Sequence, residues 1–109
     1  MNSTIKRLVK TLIPASSASR IKHLHAFYIQ YIGGIQTSLG PHFDDSSFTI
    51  NVCLQSNSTG GDLIFDDLGL SYSHSNSMGI IHSGVLKHHV SELTEGSREN
   101  VIIWVTVDH

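Results

Sequence analysis

Residues 47–55 read Ser-Phe-Thr-Ile-Asn-Val-Cys-Leu-Gln, and this stretch decides the fold class. Its large apolar side chains alternate strictly with small or polar ones, which is the pattern of a β-strand with one apolar and one semi-polar face. In a flattened barrel, such a strand turns its apolar face toward a covering helix and its semi-polar face toward a pocket. The stretch therefore predicts a closed β-structure in which this strand lines a site for a polar ligand.

Further short strands are predicted on both sides of this segment, separated by turns rich in glycine, asparagine, aspartate and serine. They cover residues 25–31, 62–65, 70–73, 78–82, 85–90 and 101–107. About seven or eight short strands indicate an all-β protein, and the jelly roll is among the few closed arrangements at this size. An open immunoglobulin-like sandwich is the alternative, but it gives no reason for the distribution of the histidines.

Residues 1–20 differ in character from the rest of the chain. Five apolar side chains recur there at helical spacing: Ile5, Leu8, Val9, Leu12 and Ile13. Lysine and arginine occupy the other faces, and Pro14 ends the pattern. We expect a short N-terminal amphipathic α-helix and a serine-rich linker over residues 1–20, followed by one domain over residues 21–109.

The composition excludes several classes of function. Cys53 is the only cysteine, so the chain can form neither an internal disulfide nor a cysteine-based zinc cluster. After residue 43 the only lysine or arginine residues are Lys87 and Arg98, which gives no continuous basic groove for nucleic acid. No run approaches the roughly 20 apolar residues of a membrane span. We expect a soluble, intracellular domain that binds no nucleic acid.

The segment Pro41-His42-Phe43-Asp44 carries the first candidate site residues. Side chains two positions apart on an extended strand point to the same side, so the His42 imidazole and the Asp44 carboxylate should converge. A second histidine from a distant strand would complete the two-histidine, one-carboxylate triad that holds Fe(II) with open positions for oxygen chemistry. His88 is the candidate. The His-x-Asp pattern alone is weak, because a chain with eight histidines often shows one by accident.

Three segments together resemble a known family: PHFDDSSFTINVCLQ at 41–55, GGDLIF at 60–65 and HSGVLKHHVSELTEGSRENVIIWV at 82–105. They resemble the 2-oxoglutarate- and Fe(II)-dependent oxygenases, in particular the prolyl 4-hydroxylase-like branch. The likeness runs from about residue 25 to residue 107 and is nearest to the iron- and 2-oxoglutarate-dependent oxygenase domain-containing proteins. It implies a double-stranded β-helix, which is a variant of the jelly roll.

The resemblance also implies roles for particular residues. The family pattern places its second histidine ten residues before the basic residue of a Gly-x-Lys or Gly-x-Arg motif, and His88 fits that register with Arg98; His89 and His82 do not. The implied iron ligands are His42, Asp44 and His88. Arg98 would grip the distal carboxylate of 2-oxoglutarate, since its planar fork can donate two charge-assisted hydrogen bonds.

The activity that the resemblance implies is hydroxylation of an unidentified protein or small molecule with O2, releasing succinate and CO2, with ascorbate keeping the iron ferrous. Leu39 and Glu92 replace a tyrosine and a proline that are frequent in collagen-type enzymes, which argues against a prolyl substrate. The alternative is a catalytically silent jelly-roll binding module, or a truncated fragment of such an oxygenase. A zinc hydrolase would lack the nearby glutamate base of the common zinc motifs.

Overall fold

The computed structural model describes residues 21–35 and 39–108, and every regular element among them is a strand. The ten strands are β1 Ile21–Ile32, β2 Leu39–His42, β3 Phe48–Ser56, β4 Thr59–Gly60, β5 Leu63–Phe65, β6 Leu70–Tyr72, β7 Gly79–Ser83, β8 His88–Val90, β9 Leu93–Glu95 and β10 Ser97–Val107. The all-β prediction is confirmed. The predicted N-terminal helix and linker over residues 1–20 lie outside the described residues.

The strands form three antiparallel sheets. The first sheet has the order β1-β10-β3-β7, the second has the order β2-β8-β5-β6, and β4 pairs with β9. No helix that is long and apolar enough to cross a bilayer occurs within the described ranges.

Strand β10 is the central element of the first sheet, because it pairs with β1 on one side and with β3 on the other. Its β-branched run from Val101 to Val107 suits a central strand, where branched side chains pack on a pleated surface. Arg98 pairs with Tyr31 of β1, while Trp104 pairs with Thr49 of β3. These registers determine which side chains share each level of the sheet.

Two apolar clusters lie on opposite faces of the first sheet, as the period of two along each strand requires. The first cluster contains Ile50, Ile103 and Val105, each at most 1% exposed. The second cluster combines a side chain of the first sheet with side chains of β5, β8 and β9: Tyr31, Leu63, Phe65, Val90 and Leu93. The second cluster therefore occupies the space between the two four-stranded sheets, and the polar site residues described below line the same space.

Some predicted boundaries were wrong. The last strand was predicted over residues 101–107, but β10 already begins at Ser97, whose backbone N–H donates to Asn57 Oδ1 at 2.9 Å. Gly96 alone makes the reversal, with a φ of 76° that other residues rarely adopt. The two-residue strand β4 was missed because Thr59–Gly60 has the composition of a turn and is ordered only by its pairing with β9.

Candidate active site

Two histidines and one aspartate converge between the sheets. His42 ends β2, His88 begins β8, and the two residues are partners in the second sheet. The strand was expected to carry both His42 and Asp44, but β2 ends at His42, and Asp44 lies two residues later in the loop before β3. Asp44 Oδ1 lies 3.5 Å from His42 Nε2 and 3.3 Å from His88 Nε2. One ligand atom from each residue lies within 4.8 Å of the others, so the three side chains could hold a metal ion.

Backbone carbonyls fix the orientation of both imidazoles. His42 Nδ1 lies 2.8 Å from the Gly40 carbonyl, and His88 Nδ1 lies 2.8 Å from the Leu86 carbonyl. A carbonyl oxygen can only accept, so Nδ1–H donates in each ring, and Nε2 carries a lone pair when the imidazole is neutral and a proton when it is charged. This arrangement is common for metal-binding histidines, whose second nitrogen donates to a carbonyl or carboxylate and so orients the ring.

The Asp44 carboxylate is also oriented, because only one of its oxygens faces the two imidazoles. The Thr49 hydroxyl donates to Asp44 Oδ2 at 2.7 Å, and the Ser46 hydroxyl lies 2.8 Å from that of Thr49. Thr49 is 1% exposed and points inward from β3, as the semi-polar face of that strand predicts. The chain therefore engages Oδ2 and leaves Oδ1 directed at His42 and His88.

The electrostatics of the pair match this geometry. Burial raises the pKa of Asp44, but the hydrogen bonds from His88 and Thr49 and the nearby positive charge of His88 outweigh burial, so the net pKa is below the usual value. For His88, burial lowers the pKa, but its contact with Asp44 and its bond to Leu86 outweigh that effect and raise the pKa. The carboxylate is thus ionised at neutral pH, in the state that a cation requires.

A third histidine, His82, lies beside the same carboxylate. Its Nε2 is 3.9 Å from Asp44 Oδ2, its Nδ1 is 3.0 Å from the Ser83 carbonyl, and its ring centroid is 4.7 Å from that of His88. Burial is the largest cause of its lowered pKa, which favours neutral imidazole. No role was predicted for His82, because its position does not match the family motif. The cross-strand register that pairs it with Thr49 brings it to the site.

Arg98 is a buried cation on the inner face of β10. It is 2% exposed, Nε donates to Asn100 Oδ1 at 2.9 Å, and Nη1 donates to the Gly61 carbonyl. Its guanidinium carbon lies 4.7 Å from the centroid of the Tyr31 ring. None of the carboxylates in the described ranges forms an ion pair with it. Burial lowers the Arg98 pKa, as expected for a cation without a counter-ion.

Three more polar side chains continue the network that begins at Arg98: Asn100, Asn51 and His74. Asn100 Nδ2 donates to Asn51 Oδ1 at 2.7 Å and lies 3.4 Å from His74 Nδ1. Burial and the charge of Arg98 lower the His74 pKa to about 4, so this imidazole is neutral at physiological pH. The network supports the buried guanidinium with neutral partners only.

A cavity of about 240 Å³ contains the triad and extends toward the Arg98 end of the space between the sheets. Its polar lining comprises His42, Asp44, Thr49, Asn51, His82 and His88. The remaining lining is aromatic or aliphatic: Phe27, Ile29, Tyr31, Leu39, Leu63, Val90, Ile102 and Trp104.

The structure brings three of the four residues that the sequence singled out into one cluster, His42, Asp44 and His88, whereas Arg98 lies behind Tyr31, which lines the cavity. Thr49 and His82 were missed. The alternation along β3 placed Thr49 on the inner face but did not show that it would reach Asp44. His89, one residue from the expected ligand, points elsewhere and binds Asp66 at 2.8 Å.

No family model matches the chain. Comparison with curated proteins nevertheless found related sequences, all of which are named as 2-oxoglutarate and iron-dependent oxygenase domain-containing proteins. The human 2-oxoglutarate and iron-dependent oxygenase domain-containing protein 2 is 30% identical over 93% of this chain. The protein ICU11 of Arabidopsis thaliana, whose name carries the same domain description, is 28% identical over 92% of the chain. The chain spans only 31% and 29% of the lengths of these relatives.

Solved structures share the fold at low sequence identity. The viral collagen prolyl hydroxylase from Paramecium Bursaria Chlorella virus-1 has a TM-score of 0.73 and 16% identity, over 97% of this chain and 73% of that one. A 2OG-Fe(II) oxygenase family oxidoreductase from Burkholderia pseudomallei has a TM-score of 0.65 and 15% identity, over 78% and 47% of the two chains. A cupin domain from Bordetella pertussis has a TM-score of 0.59 with 15% identity over 79% of this chain.

The class of fold is thus an antiparallel jelly roll of the kind found in cupins and 2-oxoglutarate oxygenases. Within that class, the resemblance of this chain to the 2-oxoglutarate- and iron-dependent oxygenase domain-containing proteins is confirmed by the curated relatives.

Proposed function

We propose that this chain is the oxygenase domain, residues 21–109, of a 2-oxoglutarate- and Fe(II)-dependent dioxygenase that hydroxylates a substrate. The observation that carries the proposal is the convergence of His42, Asp44 and His88 on one point, in a cavity that extends toward a buried arginine. The relatives' names support the same chemistry. Because the chain covers only about a third of their length, its own activity has to be tested.

The donor set fits ferrous iron. Two neutral imidazole nitrogens and one carboxylate oxygen are the two-histidine, one-carboxylate face that leaves positions open on Fe(II). The directions of the three donors are fixed by the bonds to Gly40, Leu86 and Thr49. His82 stands on the side of Asp44 that Thr49 occupies, at a longer distance, and so we assign the third ligand to His88.

The inner end of the site fits a dicarboxylate. A guanidinium that is 2% exposed and has only neutral partners in the described ranges is costly to bury unless an anion neutralises it. Tyr31 lines the cavity and stacks against Arg98, so its phenol stands where a bound carboxylate would reach Arg98. We infer that Arg98 and Tyr31 hold the distal carboxylate of 2-oxoglutarate.

When bound, the iron and 2-oxoglutarate supply the oxidising chemistry: O2 is consumed, 2-oxoglutarate becomes succinate and CO2, one oxygen atom enters succinate, and the other enters the substrate. The residues of the chain bind and orient these groups. Thr49 keeps one Asp44 oxygen directed at the iron position, and the apolar lining keeps bulk water from that position. Ascorbate would keep the iron ferrous, as the family resemblance suggests.

The test is iron-dependent formation of succinate from 2-oxoglutarate under air, in the presence of ascorbate. Many such oxygenases are expected to turn over slowly without their substrate, so a low rate is sufficient. His88→Ala should abolish succinate formation, whereas the matched His89→Ala variant should retain most of it because His89 faces Asp66. If the His88→Ala variant still forms succinate, the proposed set of iron ligands is wrong. A folded protein without any iron-dependent succinate would point instead to the silent binding module or to an incomplete fragment.

A further inference from the structure

Three aromatic side chains form a cluster at the end of the cavity opposite Arg98. His25 and Phe27 of β1 and Trp104 of β10 have ring centroids 5.4 to 6.1 Å apart, and the Phe27 and Trp104 rings meet edge to face at 83°. Phe27 and Trp104 both line the cavity. We call these three residues the aromatic cluster.

The register of the first sheet separates this cluster from the co-substrate end. Arg98 pairs with Tyr31 on β1, while Trp104, six residues further along β10, pairs with His25. At roughly 3.3 Å per residue, the two levels are about 20 Å apart along the strand. Trp104 also pairs with Thr49, which binds Asp44. The aromatic cluster therefore lies level with His42, Asp44 and His88, at the end of the cavity farther from Arg98.

The lining of the cavity selects against a charged guest. Among the residues that the structure describes, Asp44 is the only carboxylate that lines it, and no lysine or arginine does so. Thr49 already donates a hydrogen bond to Asp44, and Asn51 already accepts one from Asn100. A charged group entering beside Phe27 and Trp104 would lose its water without gaining a counter-ion, which is costly. An uncharged apolar group would instead gain aromatic and aliphatic contacts.

The size and rim of the cavity indicate how such a group arrives. A volume of about 240 Å³, part of which 2-oxoglutarate would fill, is below the roughly 300–1,000 Å³ of pockets that enclose whole drug-sized ligands. Apolar side chains continue outside it, since Leu39 is 38% exposed and Phe43, between His42 and Asp44, is 62% exposed. A peptide can place one side chain in the cavity and cover this rim, whereas the phosphates of a nucleic acid would find no cation in the lining.

We propose that the aromatic cluster is the substrate subsite and that it receives one uncharged, apolar side chain of a peptide segment. This inference rests on the proposed function, because it assigns the outer end of the same cavity. The group to be hydroxylated would then contact Phe27 and Trp104 next to the triad.

Trp104 provides a direct readout, because it is the only tryptophan in the chain. Its Nε1 is buried and finds no hydrogen-bond acceptor within residues 21–35 and 39–108, where the indole instead packs against the Phe27 ring. The experiment titrates the full chain with acetylated, amidated pentapeptides Gly-Ala-Xaa-Ala-Gly, in which Xaa is leucine, lysine or glutamate, and follows the fluorescence. The titration is done without metal, and again with Fe(II) and 2-oxoglutarate under anaerobic conditions.

The leucine peptide should give a saturable change, with a dissociation constant at least tenfold lower than those of the lysine and glutamate peptides. Phe27→Ala should weaken its binding at least tenfold. The matched control is Tyr28→Ala, because Tyr28 is the next residue of β1, is 54% exposed and bonds to Glu99 on the other face. Tyr28→Ala should change the affinity by less than twofold.

Two results would overturn the inference: equal or tighter binding of a charged peptide, or no saturable change with any of the three. The visible absorption of the Fe(II)–2-oxoglutarate chelate, measured in the same samples, keeps the two proposals apart. Chelate absorption without peptide binding would leave the proposed function standing and remove the subsite. Peptide binding without chelate absorption would support the subsite and remove the proposed oxygenase chemistry.

Discussion

Thr49 shows how one hydroxyl determines the direction of a metal-binding carboxylate. Without its bond to Asp44 Oδ2, the carboxylate could rotate, or turn toward His82 at 3.9 Å. Thr49 is itself held by Ser46, so the orientation is fixed by two hydroxyls in sequence. Such outer partners of metal ligands commonly contribute a factor of roughly 10 to 100 in metal affinity.

Replacing Thr49 by valine, which has nearly the same shape, should therefore weaken Fe(II) binding roughly 10- to 100-fold. The affinity can be measured by anaerobic competition with a coloured chelator. Thr49→Ser keeps the hydroxyl and should restore most of the affinity. If the valine and serine variants bind Fe(II) equally well, the hydroxyl does not orient Asp44.

His74 predicts a specific loss of stability in mild acid. Burial and Arg98 keep its pKa at about 4 in the folded protein, whereas an unfolded histidine has a pKa near 6.5. Between these values the unfolded chain binds the proton and the folded chain does not, so the contribution of His74 to stability is present above about pH 6.5 and is lost as the pH falls toward 4.

His74→Gln should remove this contribution to the pH dependence. Between pH 7 and pH 5, the free energy of unfolding of the unmodified protein should fall by on the order of 1 kcal/mol more than that of the variant, a value discounted for the partial exposure of the imidazole. Urea denaturation at the two pH values measures the difference. Parallel losses in both proteins would mean that His74 accepts a proton in the folded state.

At the scale of the element, β10 shows why two adjacent isoleucines have different tasks. Ile103 is fully buried in the cluster with Ile50 and Val105, whereas Ile102 points the other way and lines the cavity. The alternation of faces along a strand causes this division. One face of β10 stabilises the fold, and the other forms part of the site.

Ile103→Ala should accordingly lower the free energy of unfolding by about 2–5 kcal/mol, because it leaves a void in a closed cluster. Ile102→Ala should cost less, because its side chain already borders open space. Urea denaturation of both variants gives the comparison. A larger loss for Ile102→Ala would contradict the assignment of the two faces.

Features that depend on local periodicity could be predicted from the sequence, whereas contacts that depend on the pairing of distant strands could not. The alternation over residues 47–55 and the β-branched run over 101–107 predicted β3 and most of β10. The approach of His82 to Asp44 depends on the register of β7 against β3, which neither segment encodes alone. The family motif supplied His88 and Arg98, which no local pattern distinguishes from His89 and Lys87.

Glycine gives another example of a role that appears only in three dimensions. Gly61 has a φ of 70°, which agrees with a turn. In the fold, however, a Cβ at this position would lie 2.6 Å from Arg98 Nη1, and the Gly61 carbonyl accepts a hydrogen bond from that nitrogen. The glycine therefore allows the backbone to approach the guanidinium closely.

At the scale of the whole molecule, two four-stranded sheets enclose a candidate metal site, with the aromatic cluster at one end of the cavity and the buried Arg98, behind Tyr31, beyond the other. This arrangement matches the positions that a dicarboxylate, a metal ion and a substrate would take if they were bound side by side in the cavity. The chain covers about a third of the length of its curated relatives. The fold therefore supports the assembly of the site more directly than it supports the activity of a whole relative.

The most direct measurement of that claim is an anaerobic titration of the purified chain with Fe(II) and 2-oxoglutarate, followed by the visible charge-transfer band of the chelated 2-oxo acid. The unmodified protein should show a saturable band, and His88→Ala should show none. Arg98→Ala should need at least 100-fold more 2-oxoglutarate to give the band, because the guanidinium holds the carboxylate of 2-oxoglutarate. Its affinity for Fe(II) should stay within about threefold of the original, since Arg98 does not bind the metal. Absence of the band in the folded, unmodified protein, or equal loss of iron and 2-oxoglutarate binding in Arg98→Ala, would contradict the account.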